Sequence, residues 1–404
     1  MQDPVRFADL PEYAFPRLRA LLAPHAPGGP EIAMSIGEPR HAFPDFVAEV
    51  IAAHAAEFSR YPPNEGTLSL RAANAAWLAR RYAIAEPNPE TEILPLNGTR
   101  EGLFNTAIAL CPEVKNGQRP AVLIPNPFYQ CYAVAALTAG AEPIYVRAGA
   151  ETGFLPDYES LDPALLDRTA MVYMCSPSNP QGAVASRDWW RRLIRLAEKH
   201  DFRILADECY AEIYRDHPPP GILQALADEA GDPERVVAFH SLSKRSNVPG
   251  LRSGFAASGP KAIKAMRQLR SYAGAPMPLP LQHAGEALWR DEAHVDENRA
   301  LYREKFDLSD SILANIPGYA SPDAGFFLWL RVPDGERAAV ELWRKTGVKT
   351  LPGAYLARDP GDGSGNPGKS YLRAALVAAP EEVHRGLEAI GAVLSDGIAE
   401  GQDG

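Results

Sequence analysis

Cysteine is scarce in this 404-residue chain, with only Cys111, Cys131, Cys175 and Cys209. They are widely separated, with no Cys-x-x-Cys pair and no histidine cluster beside them, so no metal centre is expected. No disulfide framework is expected either, because the opening residues Met1 to Tyr13 lack the basic start and apolar core of an export signal. Cys175 and Cys209 read as small apolar packing residues. A basic excess is also missing. The net charge of −10 leaves nothing to neutralise a run of phosphates, which argues against nucleic acid and anionic membrane surfaces as partners. No apolar run approaches the ~18 residues of a membrane span, and the expected compartment is the cytoplasm. There is no internal repeat, and the only low-complexity tract is GDGSGNPG at 361–368.

What is present suits a large core: 46% of residues are hydrophobic and 23% charged, at a length that accommodates two domains. From about 92 to 270, short apolar runs alternate with helix-period segments, the rhythm of a mostly parallel α/β sheet. Strands are expected at 121–124, 170–174, 202–206, 235–239 and 253–257, and helices at 100–110 and 187–200. In the second helix Trp190, Leu193, Ile194 and Ala197 share one face, and the basic stripe opposite reads as solvated. After the proline-rich stretch 276–280 the character changes. One long helix is expected over 281–312, then a strand at 326–332, a helix at 336–346, a strand at 370–377 and a final helix at 381–395. The expected division is an N-terminal arm at 1–45, a large domain at 46–280, a small domain at 281–396 and a disordered tail at 397–404.

Chemistry concentrates in Ser241-Leu-Ser-Lys-Arg-Ser-Asn-Val-Pro-Gly-Leu-Arg252. Lys244 is bracketed by hydroxyl residues, with Arg252 eight positions on. Asn179 stands upstream in SPSNPQG, and Asp207 and Tyr210 in ADECY. A lysine to bond an aldehyde, a carboxylate for a pyridine nitrogen, an amide and a phenol for a ring hydroxyl, and a serine–arginine set for phosphate make up a pyridoxal 5'-phosphate (PLP) site. Ser241, Ser243 and Arg252 fit the phosphate from one side. Gly98, Thr99 and Arg100, just before a helical segment, fit it from the other, since a helix N-terminus favours an anion. Asn179, Asp207 and Lys244 each follow an expected strand, where open α/β sheets collect ligands.

The ordered set resembles the class I aminotransferases of the fold-type I PLP enzymes, from about Ile36 to Ala378. The wording SLSKRSNVPGLRSGF and NPFYQCY is similar to one branch, the bacterial N-succinyldiaminopimelate aminotransferases. The resemblance implies a large domain around a seven-stranded, mostly parallel sheet and a smaller α+β domain. It makes Lys244, Asp207 and Tyr210 catalytic and puts the ring of Tyr129 on the cofactor face, with Phe128 and Tyr132 beside it as packing residues. It also implies that Tyr61 reaches the phosphate of a neighbouring subunit, hence a homodimer. Arg373 in YLRAALV corresponds to the family's α-carboxylate arginine, and Gly37 and Asn179 approach the substrate. The implied reaction is transamination of N-succinyldiaminopimelate with 2-oxoglutarate, in lysine and diaminopimelate biosynthesis. The alternatives are alanine, aspartate or aromatic specificity, or a PLP lyase or decarboxylase. SYAGAPMPLP lacks the distal arginine of aspartate-specific relatives, which leaves Arg40, Arg270 and others open for a second carboxylate. The stretch before Ile36 is too short and proline-rich for a fused helix-turn-helix module.

Residues 363–370, GSGNPGKS, fit the phosphate-loop pattern G-x-x-x-x-G-K-[ST]. That mechanism needs a strand before the loop and a helix after it. LARDPGD precedes and the strand-like YLRAALVAA follows, so a surface loop is expected.

Overall fold

The computed structural model describes residue 7 and residues 10–395, so the tail expected to be disordered lies outside the described residues. A seven-stranded sheet runs in the order Ile93–Leu96, Gly254–Ala257, Val236–Ser241, Arg203–Asp207, Thr169–Cys175, Ala121–Asn126, Glu142–Arg147. Gly254–Ala257 pairs antiparallel with both neighbours and every other pairing is parallel. This is the expected α/β fold.

The central strands are legible because both faces are covered, so nearly every position is apolar. Successive residues alternate between two cores. Val122, Ile124, Tyr173 and Leu205 face one cluster, whose helical cover is Thr99–Leu110 and Cys131–Thr138. Leu123, Val172 and Ile204 face the other, under Arg187–His200 and Ile222–Glu229. Each such aliphatic side chain contributes about 1.5–3 kcal/mol of transfer free energy. Helix Arg187–His200 has the expected bounds. Ser186 caps it by accepting from Trp189 N–H, and Trp190, Leu193, Ile194 and Ala197 are buried.

Two strands of the sheet were not expected. Glu142–Arg147 is an edge strand, mostly half-buried and interrupted by Pro143, and Ile93–Leu96 is short and contains Pro95. The single long helix expected at 281–312 is two, Leu279–Arg290 and Ala293–Leu313. No helix breaker stands between them. The break is made from outside by the buried Arg245, which donates to the carbonyls of Leu288 (2.7 Å) and Asp291 (3.1 Å) and pairs with Glu292 (2.9 Å). Its guanidinium takes carbonyls that a helix end leaves orphaned.

A second, antiparallel sheet joins Leu351–Pro352, Tyr371–Ala375 and Phe327–Arg331, and Ile32–Ala33 of the N-terminal arm pairs with Val348–Lys349. Helices Gly335–Thr346 and Pro380–Ser395 lie close to their expected bounds. The phosphate-loop look-alike runs directly into strand Tyr371–Ala375 with no helix behind it, and Gly361, Gly363 and Gly365 all hold positive φ. It has no helix N-terminus to offer an anion. No described helix is long and apolar enough to cross a membrane.

Candidate active site

The parallel strands end on one side of the sheet, and there the predicted residues gather around a cavity of about 340 Å³. Strand Arg203–Asp207 delivers Asp207, and Val236–Ser241 leads into the short helix Leu242–Arg245 that carries Lys244. Ser241 caps that helix, its hydroxyl accepting from Ser243 N–H at 3.1 Å. Because Gly254–Ala257 returns antiparallel, Arg252 re-enters the same wall, in the left-handed region at φ 55°. From the other side, helix Thr99–Leu110 begins at the cavity with Thr99 and Arg100. Gly98 stands before it at φ 78°, and a Cβ there would lie 2.2 Å from Arg252 Nη2. Only glycine permits that approach.

Lys244 is half-buried, and its Nζ donates to the Gly37 carbonyl at 2.6 Å. Burial first, and then the charges of Arg373 and Arg252 against the opposing pull of Cys209 and Glu38, bring its ammonium down to about 8. That is the direction a nucleophilic amine needs. Asp207 is buried at 5% exposure. Its Oδ2 accepts from the Tyr132 hydroxyl at 2.7 Å and its Oδ1 from Cys209 N–H at 3.3 Å. Burial pushes its carboxyl upward despite those donors, and a neighbouring cation would favour the charged form. Tyr210 and Tyr129 line the cavity, and Arg100 Nε donates to the Tyr129 hydroxyl.

Arg373, 4% exposed, stands on strand Tyr371–Ala375. It donates to Asn179 Oδ1 at 3.0 Å and to the Ser35 carbonyl at 2.7 Å, and its plane lies 4.2 Å from the Phe327 ring centroid. Its Nε is buried without a hydrogen-bond partner in the protein. Burial pulls its pKa down to about 10. A Cβ at Gly37 would sit 2.4 Å from Phe327 Cζ, so the backbone there approaches as no other residue could.

Tyr61 is not brought to this cavity; it is fully exposed. Arg40 and Arg270 do not line it either. Arg40 pairs with Glu382 at 3.3 Å, and Arg270 is buried against Glu101 and the carbonyl of Asn64. Tyr132 packs as expected, stacked on Tyr173 at 4.5 Å, but it is also a donor to Asp207, a contact that no local sequence pattern signals. Cys175 and Cys209 line the cavity as thiols, since burial pushes both well up. Away from the cavity, His54, Glu57 and His283 bring ligand-type atoms within 4.8 Å of one another. The two imidazoles stack 3.7 Å apart at 17°, and His54 Nδ1 (3.0 Å) and His283 Nε2 (3.3 Å) both face Glu57 Oε1.

The profile of the family described as "Aminotransferase class I and II" matches residues 30–390. The chain belongs to this family. It is 33% identical over 391 residues to an LL-diaminopimelate aminotransferase of Dehalococcoides mccartyi, covering 95% of this chain and 96% of that one. Among solved structures, an aminotransferase of Neisseria meningitidis Z2491 superposes with a TM-score of 0.92 at 39% identity, covering 96% of this chain and 99% of that one. An aminotransferase of Helicobacter pylori 26695 gives 0.88 at 34% identity, covering 96% and 100%. The cofactor of this aminotransferase is PLP, and its substrates are amino acids and 2-oxo acids. Bound PLP supplies an aldehyde and an electron-withdrawing ring that ease loss of the Cα proton. The donor set fits that group: an amine of lowered pKa, a buried carboxylate in need of a cation, and hydroxyls, a guanidinium and a helix N-terminus for phosphate.

Proposed function

We propose that Lys244 would hold PLP through its aldehyde and, once displaced by the substrate amine, would carry the Cα proton. Asp207 would pair with the pyridine nitrogen, and Asn179 and Tyr210 would serve the ring oxygen. Ser241, Ser243 and Arg252 hold the phosphate with Gly98, Thr99 and Arg100, while the Tyr129 ring covers the cofactor face. Arg373, with Asn179 and Gly37, holds the substrate α-carboxylate. The observation that carries this reading is the convergence of Lys244, the buried carboxylate of Asp207 and the buried guanidinium residue Arg373 on one cavity. We further propose a homodimer in which Tyr61 of a second copy reaches the phosphate. Support comes from the full exposure of Tyr61, with Phe58 and Tyr272 also exposed.

For the donor we propose N-succinyldiaminopimelate, with 2-oxoglutarate as acceptor. The support is the SLSKRSNVPGLRSGF and NPFYQCY wording. A second reading, LL-diaminopimelate itself, is favoured by the name of the Dehalococcoides relative and by Glu38, a carboxylate on the cavity wall that suits a distal ammonium. The deciding measurement is kcat/KM for both donors beside glutamate, aspartate and alanine. A site that desolvates polar groups to fit a succinyl amide leaves them unpaired with a short substrate, which costs about two to four powers of ten. Preference for alanine or aspartate would remove both diaminopimelate readings and leave the aminotransferase.

A further inference from the structure

A chain of buried side chains and the half-buried His41, outside the cavity, joins its two sides. Asn298, 5% exposed, donates from Nδ2 to the backbone carbonyls of Lys244 and Arg245, each at 3.4 Å. That turns its Oδ1 toward Asn247 Nδ2 (3.0 Å) and His41 Nδ1 (2.9 Å). His41 therefore carries its proton on Nδ1, and its bare Nε2 accepts from Lys305 Nζ. Lys305 is wholly buried and also donates to the Leu376 carbonyl at 3.0 Å, three residues beyond Arg373. Burial draws Lys305 down to about 7, which suits an amine sharing a dry site with a neutral imidazole.

His41 ends the segment 34–41, which touches both reactive groups. The Ser35 carbonyl accepts from Arg373 and the Gly37 carbonyl from Lys244. Met34 accepts from Ala375 N–H at 2.7 Å, and Arg40 N–H donates to the Val377 carbonyl at 3.2 Å. At the far end His41 spans both partners, as neither asparagine nor glutamine can.

We propose that His41, bridged between Asn298 and Lys305, is a positioning residue that fixes segment 34–41, and with it the Ser35 carbonyl, against Arg373. The inference rests on the reading of Arg373 as the α-carboxylate clamp. His41→Asn keeps the bond to Asn298 and loses Lys305, His41→Gln does the reverse, and Lys305→Met removes the outer partner. In the PLP-loaded enzyme with L-glutamate as donor, each variant should raise KM about tenfold with kcat within about twofold, the loss of uniform substrate binding. The His41→Asn/Lys305→Met double variant should be no worse than either single one, because the first break already severs the chain. Arg373→Lys is measured alongside. A KM that rises in Arg373→Lys but not in the His41 and Lys305 variants, whatever their melting temperatures, overturns the inference; so do additive effects in the double variant. A KM unmoved in Arg373→Lys overturns the clamp reading beneath it, and the inference with it.

Discussion

The Tyr132 hydroxyl donates to Asp207 Oδ2 at 2.7 Å, reaching from helix Cys131–Thr138 to the end of strand Arg203–Asp207. The phenol is wholly buried and braced by its stack on Tyr173, so the acceptor's position is set by core packing. Tyr132→Phe keeps the ring and removes the donor. A buried carboxylate left short of a partner should lower unfolding free energy by about 1–3 kcal/mol. The Asp207 pKa should rise further, moving the acid limb of kcat/KM to higher pH. Urea unfolding and a pH–rate profile check this, and no change in either would remove the role.

Asp207→Asn removes the charge and keeps the shape. PLP should remain bound, but single-turnover proton abstraction should slow by roughly 10²-fold or more, as expected when preorganised charge stabilisation is lost. Rapid-mixing spectroscopy with an amino acid donor reads this directly, and near-wild-type rates would contradict the assignment.

Lys244 gives a pH dependence with a definite sign. Its folded-state pKa of about 8 lies below the unfolded lysine value of about 10.4. Between those values the unfolded chain binds more protons, so the stability of the cofactor-free protein should rise with pH across that window. Below about 8 the ammonium is charged in both states and the slope from this group vanishes. Covalent capture of added PLP should accelerate with pH up to about 8 and level off above it. Lys244→Ala should lose that slope, the visible absorbance and the transamination. A borohydride-fixable cofactor linkage surviving in Lys244→Ala would place the reactive amine elsewhere.

Lys369→Ala tests the phosphate-loop look-alike. With a strand where a helix N-terminus is required, the substitution should leave transamination within about threefold, as an ordinary surface change does. ATP binding by the wild type that disappears in the variant would reverse that conclusion.

Lys244, Asp207, Asn179 and Arg252 were legible because PLP chemistry needs particular residue types and the strand pattern sets where each falls. Thr99 and Arg100 were legible because a helix start is written in local sequence. Tyr132 was not, since a phenol inside an apolar helix carries no sign of what its hydroxyl meets. Nor was the division of the long helix after residue 280, because its cause is Arg245, far away in the chain. The edge strand Glu142–Arg147 escaped for the opposite reason: half-exposed positions carry charges, and the apolar run that marks a central strand is missing. Tyr61 exposes its ring to solvent, and nothing within one chain bears on the role proposed for it.

The reversed strand Gly254–Ala257 bears on how the site is assembled from an unfolded chain. A parallel return would need a crossover of roughly a dozen residues or more, usually a helix, between the two strands. The antiparallel return brings Arg252 back eight residues after Lys244, with Ser241 directly opposite Gly254. Lys244 and Arg252 thus reach the cavity wall from one short connection between paired strands, so their placement is a local property of the chain.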